Sequence, residues 1–281
     1  MTSIETRSEH LASGGKVAMC SHTSQVCDTE MRFSVFTPPR AEHGPVPVVY
    51  YLAGLTCTEE TFMAKAGALR VAAELGLMVV APDTSPRGVD LPGDEDAWDF
   101  GKGAGFYVDA TVSPWARHYR MYSYVTEELP ALVAARFPAR ADAQSILGHS
   151  MGGHGALVAA LRNPGRYRSV SALAPIGAPS RVPWGKKAFT GYLGADPAAW
   201  AAYDASALVA TAKGGPPLLI DQGTADKFLD AQLRPDLLRE ACAAAGHPIT
   251  LRYREGYDHS YYFVSSFIEE HLRFHAAALS P

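Results

Sequence analysis

The chain has 281 residues, 47% hydrophobic and 19% charged, with a formal net charge of −4. That is apolar material for one sizeable core at a length α/β folds often reach as a single domain, and no basic block is present to neutralise phosphates, which excludes a dedicated nucleic-acid binder. The longest apolar stretch, Val46 to Leu55, is far short of the roughly 18 residues that cross a bilayer, and the opening MTSIETRSEH lacks the apolar centre of a signal peptide.

In chain order, residues 1–13 read as a loosely ordered tail on one domain spanning 1–281. Met31 to Thr37 alternates as a strand does and stops at Pro38-Pro39. Val46 to Leu52 is a β-branched and aromatic strand ending ahead of Gly54. A helix is predicted over Glu59 to Glu74, opened by Thr58 as N-cap and closed at Gly76. Strand Leu77 to Ala81 follows, then Asp83 to Ser113, rich in Gly, Asp and aromatics and without a period. Tyr119 to Arg136 reads as a long helix bent at Pro130. Strand Ser145 to Gly148, helix Gly152 to Arg162 and strand Ser169 to Leu173 come next. Pro175 to Asp204 is a second stretch outside the alternation. Strand Leu218 to Asp221, helix Leu229 to Ala245, strand Ile249 to Tyr253 and helix Tyr261 to Ala278 close the chain. Apolar strands alternating with helices predict an α/β fold, its mostly parallel sheet covered on both faces. The two irregular segments are where substrate contacts are expected.

Four cysteines, Cys20, Cys27, Cys57 and Cys242, form no CxxC pair, and the ten histidines include no HExxH. Neither a disulfide framework, a metal site nor a cofactor is expected.

The sharpest local signal is Gly148-His149-Ser150-Met151-Gly152, a G-x-S-x-G directly after an apolar strand and ahead of a small-residue helix. Such a serine sits on a strained strand-to-helix turn where side chains at the flanking glycines would collide with backbone, and the helix N-terminus favours a developing oxyanion. A serine hydroxyl needs a base and an orienting acid, which follow in the order Ser, acid, His. His247, His259, His271 and His275 are far enough downstream. His271 and His275, one turn apart on the last helix, read as a solvated face, and His247 before Pro248 reads as a loop residue. His259, in the turn Gly256 to Ser260, is best placed. For the acid, Asp221 ends its strand, Asp230 falls in a helix, and Asp258 is adjacent to His259; Asp226, in the loop, is best placed, with the alternative that it is a helix N-cap ahead of Phe228. The oxyanion donors expected are the amides of Met151 and of Leu55, which follows the turn at Gly54.

These segments are similar to the S-formylglutathione hydrolase (esterase D) family. The blocks that carry the resemblance are Tyr50 to Thr58, Ala81 to Gly88, Gly103 to Tyr107, Gly148 to Gly153, Pro183 to Phe189, Asp221 to Gly223 with Asp226, and Tyr257 to Phe263. The resemblance runs from about Gly14 to the last helix. It implies an α/β-hydrolase fold, Ser150 as nucleophile, Asp226 as acid and His259 as base. It implies cleavage of S-formylglutathione to glutathione and formate in formaldehyde detoxification, with side activity on simple esters. It also implies a cytosolic setting and a homodimer. Departures are Ala178 to Val182 ahead of the Pro-Trp-Gly block, His154 in place of an apolar residue, and an acidic loop at Val89 to Asp99.

A formyl group offers almost no apolar area, so binding energy must come from the tripeptide with its two carboxylates and one ammonium. Lys186, Lys187 and Arg181 are candidates for the carboxylates, with the alternative that they are solvated loop charges, and Trp184 for packing against the peptide. Cys57 stands two residues past the oxyanion amide, either beside Ser150 or as a small buried filler. The rival readings are a general carboxylesterase or acyltransferase with the same triad, and a non-catalytic ligand-binding member of the fold.

Overall fold

In the computed structural model, which describes residues 3–212 and 214–280, the chain opens on a tight hairpin. Ser13 and Gly14 take φ of 50° and 76°, the two-residue turn whose twist matches that of its strands. It joins β1 (Ile4–Ala12) to β2 (Gly15–Ser24) in an antiparallel pair. The expected loose tail is therefore ordered strand from Ile4 onward, while residues 1 and 2 lie outside the described residues. β1 did not read as a strand because most of it is exposed, so no apolar alternation is imposed on it. Its charged side chains suit an outer edge that must not pair with another chain.

β3 (Thr29–Thr37), β4 (Val46–Leu52), β5 (Met78–Pro82), β6 (Ala139–His149), β7 (Val170–Leu173), β8 (Leu218–Gly223) and β9 (Ile249–Arg254) complete one sheet in the order β1-β2-β3-β5-β4-β6-β7-β8-β9. Pairing is antiparallel from β1 to β5 and parallel from β5 to β9. β5, β7 and β8 are buried at every position, as strands covered on both faces must be. From β4 the chain crosses to β5 on one side and then back to β6 on the other. The carboxyl ends of β4 and β6 thus flank the point where the winding reverses, the place where such sheets hold ligands.

The helices are α1 (Glu59–Lys65), α2 (Leu69–Leu75), α3 (Met121–Ser123), α4 (Leu129–Arg136), α5 (Met151–Arg162), α6 (Pro183–Leu193), α7 (Pro197–Trp200), α8 (Ala205–Leu208), α9 (Pro235–Ala245) and α10 (Tyr261–Leu279). The helix expected over Glu59 to Glu74 is two, broken where Gly67 takes φ 66°. The bend expected at Pro130 is a widened π-turn, Tyr124–Glu128, directly ahead of it, because the proline ring cannot coexist with a normal turn before it. Leu229 to Ala245 is likewise divided, with Arg234 at φ 45° ahead of Pro235. The stretch Pro175 to Asp204 holds α6 rather than irregular chain. Pro183 suits a first helical position, and Trp184, Ala188, Phe189 and Tyr192 bury one face.

His271 and His275 do not lie on a solvated face: both are fully buried where α10 covers the sheet. Serines on the strands make that possible. Ser171 Oγ lies 2.8 Å from both His271 Nδ1 and His275 Nε2, and Ser169 Oγ lies 2.7 Å from His275 Nδ1. Among the described residues, no helix is long and apolar enough to cross a membrane.

Candidate active site

The turn from β6 into α5 puts Ser150 at φ 57° and ψ −122°, a strained conformation for a residue with a Cβ. The flanking glycines are steric necessities. A Cβ on Gly148 would stand 2.1 Å from the Gly152 carbonyl oxygen, and one on Gly152 would stand 2.0 Å from that of Leu52. The Ser150 amide donates to the Leu173 carbonyl at 3.0 Å, which ties the turn to β7.

Ser150 Oγ lies 2.9 Å from His259 Nε2, and His259 Nδ1 lies 2.5 Å from Asp226 Oδ2. A carboxylate only accepts, so Nδ1 carries the ring proton and Nε2 is left to accept from the serine hydroxyl. Asp226 is itself fixed: its carboxylate also accepts from Gln222 Nε2 at 3.2 Å and from the Phe228 amide at 2.9 Å. Its side chain is fully buried, while that of His259 keeps 16% exposure.

The other acids are committed elsewhere. Asp221 takes paired donors from Arg252 and Arg254. Burial disfavours its charge, yet His271 and the two arginines outweigh that and bring its pKa down to about 2. Asp258 accepts from the Ser260 hydroxyl at 2.6 Å, and Asp230 is exposed in the turn before α9. His247 donates Nε2–H to the Pro216 carbonyl at 3.2 Å.

A cavity of about 220 Å³ opens over Ser150 and His259, with Leu55, Cys57, Trp98, Trp184, Phe228 and Tyr261 in its wall. The Trp184 and Phe228 rings are 4.7 Å apart, and Phe228 meets His259 edge-on at 5.2 Å. Trp98, from the irregular segment, stands edge-on to Trp184 at 5.5 Å. Burial pushes the Cys57 thiol pKa up despite hydrogen bonds with Tyr261 and Thr61, so the thiol stays protonated. Lys186 and Lys187 line a separate open groove with Phe100, Thr190 and Gly191, and Lys187 is ion-paired with Asp99.

Two features escaped sequence reasoning. His149 packs its ring 4.6 Å from that of His259, is almost wholly buried, and has neither nitrogen hydrogen-bonded. Burial, then the neighbouring His259, holds its pKa well below the usual histidine value. The second is a clamp on the loop after β4. Tyr107 hydroxyl donates to the Ala53 carbonyl at 2.9 Å, and the Thr56 amide donates to the Gly103 carbonyl at 2.9 Å. The Cys57 carbonyl accepts from Thr84 Oγ1 at 2.6 Å and Arg87 Nη2 at 3.0 Å. Arg87 is braced in turn by Asp83, 2.7 Å away. The blocks Ala81 to Gly88 and Gly103 to Tyr107 were visible as motifs, but nothing in their spacing told which backbone atoms they hold.

Comparison with known proteins matches residues 24–274 to the Esterase family, described as "Putative esterase". The chain is 55% identical over 269 residues to S-formylglutathione hydrolase of Mus musculus, covering 95% of each. The chain belongs to the S-formylglutathione hydrolase family. The Rattus norvegicus member is 54% identical over the same length. The solved S-formylglutathione hydrolase of Agrobacterium tumefaciens has a TM-score of 0.96 at 54% identity, covering 98% of this chain and 100% of that one. FphF, a fluorophosphonate-binding serine hydrolase of Staphylococcus aureus, shares the fold at 21% identity, with a TM-score of 0.73 and coverage of 93% of this chain and 98% of that one. Membership of this family makes the protein an α/β-hydrolase-fold hydrolase.

Proposed function

We propose that the chain hydrolyses S-formylglutathione to glutathione and formate through a formyl-enzyme intermediate on Ser150. The observation that carries this is the continuous hydrogen-bonded line from Asp226 through His259 to Ser150 Oγ at the mouth of a small apolar cavity, in a chain of this family. Ser150 Oγ attacks the formyl carbon while His259 Nε2 takes its proton. The resulting oxyanion is met by the amides of Met151 and Leu55. Collapse of the tetrahedral adduct breaks the carbon–sulfur bond, and glutathione leaves with the proton from His259. A thiol with pKa near 8.5 leaves more readily than an alkoxide would, so attack and oxyanion stabilisation are the demanding steps. Water, deprotonated by His259, then releases formate and restores the Ser150 hydroxyl.

Further features suit this reading. The cavity has room for the acyl group beside Ser150, with Trp184 and Cys57 as wall residues. All four cysteines are free thiols, as suits a reducing cytoplasm where glutathione is abundant. The raised Cys57 pKa removes it as a competing nucleophile. The test is product stoichiometry. Wild-type enzyme is expected to release one free thiol and one formate per S-formylglutathione consumed, and Ser150→Ala neither. Thiol release surviving in Ser150→Ala would overturn the assignment of the nucleophile.

A further inference from the structure

We propose that the groove headed by Lys65 is the subsite for a terminal carboxylate of the thiol leaving group. This rests on the S-formylglutathione reading, since it concerns where the peptide part of that substrate lies. The catalytic cavity, about 220 Å³, is walled by aromatic and apolar groups and contains no lysine or arginine. A tripeptide with two carboxylates and an ammonium neither fits that volume nor finds a charge partner within it, so its arms must leave the cavity.

A second depression of about 400 Å³ is lined by Lys65, Ser260, Tyr261, Tyr262 and Ser265. It shares Ser260 and Tyr261 with the cavity wall, so the two depressions adjoin at the start of α10. Tyr262 is 84% exposed there and presents an open ring face to a peptide backbone. Lys65 ends α1, the helix that follows the oxyanion loop, and its positive charge reaches the cavity wall. It helps to counter the burial that raises the Cys57 thiol, after the hydrogen bonds to Tyr261 and Thr61. Among the described residues Lys65 has no ion-pair partner, which leaves its charge to a ligand. The nearby carboxylate of Asp258 is engaged by the Ser260 hydroxyl and amide, at 2.6 and 3.0 Å.

The alternatives are less well placed. Lys187 is neutralised by Asp99, and the groove it shares with Lys186 has no residue in common with the cavity. Lys227 Nζ sits 4.9 Å over the Phe228 ring, on another wall of the cavity.

The experiment compares S-formylglutathione with its diester, in which both carboxylates are capped, on wild type and Lys65→Gln. The side chain is exposed, so the variant folds. KM for S-formylglutathione is expected to rise roughly three- to fivefold with kcat little changed, the scale of one exposed lysine–carboxylate pair, and salt should shrink the difference. On the diester the two enzymes should have the same KM. Equal KM values on S-formylglutathione, or an equal rise on the diester, would overturn the subsite while leaving the substrate reading intact. Failure of wild type to turn over S-formylglutathione while cleaving an aryl acetate would overturn the substrate reading, and the subsite with it.

Discussion

At Ser150 a positive φ of 57° coincides with two glycines that no other residue can replace. Gly152→Ala would press a methyl group against the Leu52 carbonyl from 2.0 Å. We expect it to lower the melting temperature and remove activity together, as thermal unfolding and steady-state assays would show. Asp226→Asn is a different kind of change, because it keeps the shape and alters only which partner donates. An asparagine amide can donate to His259 Nδ1 and so favours the wrong tautomer, leaving Nε2 protonated beside Ser150. We expect kcat to fall on the order of 10⁴-fold with the circular dichroism spectrum and melting temperature nearly unchanged. The nucleophile, its base and its acid were legible because the chain order and the turn residues carry them. His149 was legible only as the second letter of a motif. Its contact with His259 depends on how the turn after β9 folds back over the elbow, which no local pattern encodes.

Among the elements, the loop between β4 and α1 owes its shape to partners far along the chain. Thr84 and Arg87 converge on one carbonyl, that of Cys57, and Tyr107 holds the carbonyl of Ala53. Both carbonyls flank Leu55, whose amide we assign to the oxyanion. Thr84→Val removes a buried donor without changing side-chain volume much, so it should loosen this loop rather than empty the binding site. We expect kcat to fall about tenfold with KM little altered, a cost near 1.4 kcal/mol in the transition state alone; an effect confined to KM would contradict the assignment. β4, β5, β7, β8 and the buried half of β6 were legible because burial on both faces forces continuous apolar runs, whereas β9, partly exposed at the sheet edge, shows through the alternation of Ile249, Leu251 and Tyr253. β1 and β2 escaped because exposure on one and small polar residues on the other erase the period, although Ser13-Gly14 is a sound turn signal. The helix breaks at Gly67 and Arg234 were likewise hidden, since helical periodicity continues across them while the backbone does not.

For the whole molecule, the buried histidines set a limit at acid pH. Burial lowers the pKa of His154 to about 4 and, helped by the neighbouring His271, that of His275 to about 3. His22, His149 and His271 are lowered in the same direction, each mainly by burial. Unfolded, each takes up a proton near pH 6.5, whereas the folded chain does so only at lower pH. Between those values the unfolded state binds more protons, so stability falls as pH falls. The loss is up to about 1.4 kcal/mol per pH unit for each such group. Asp221 works in a lower window: its stabilising charge persists above the unfolded carboxylate value near 3.9 and is lost toward pH 2. Urea unfolding at pH 7, 6 and 5 should therefore show a steep decline, flattened by one group's share in His275→Gln. A stability independent of pH over that range would mean that the histidines are already charged in the fold.

The most direct test of the account is the ratio of kcat/KM values for S-formylglutathione, S-acetylglutathione and a short aryl acetate on the wild-type enzyme. Recognition of the peptide part outside the cavity over Ser150 predicts a marked preference for the glutathione thioesters over the aryl acetate. An aryl acetate turned over as well or better would contradict that and leave a general esterase with the same catalytic residues.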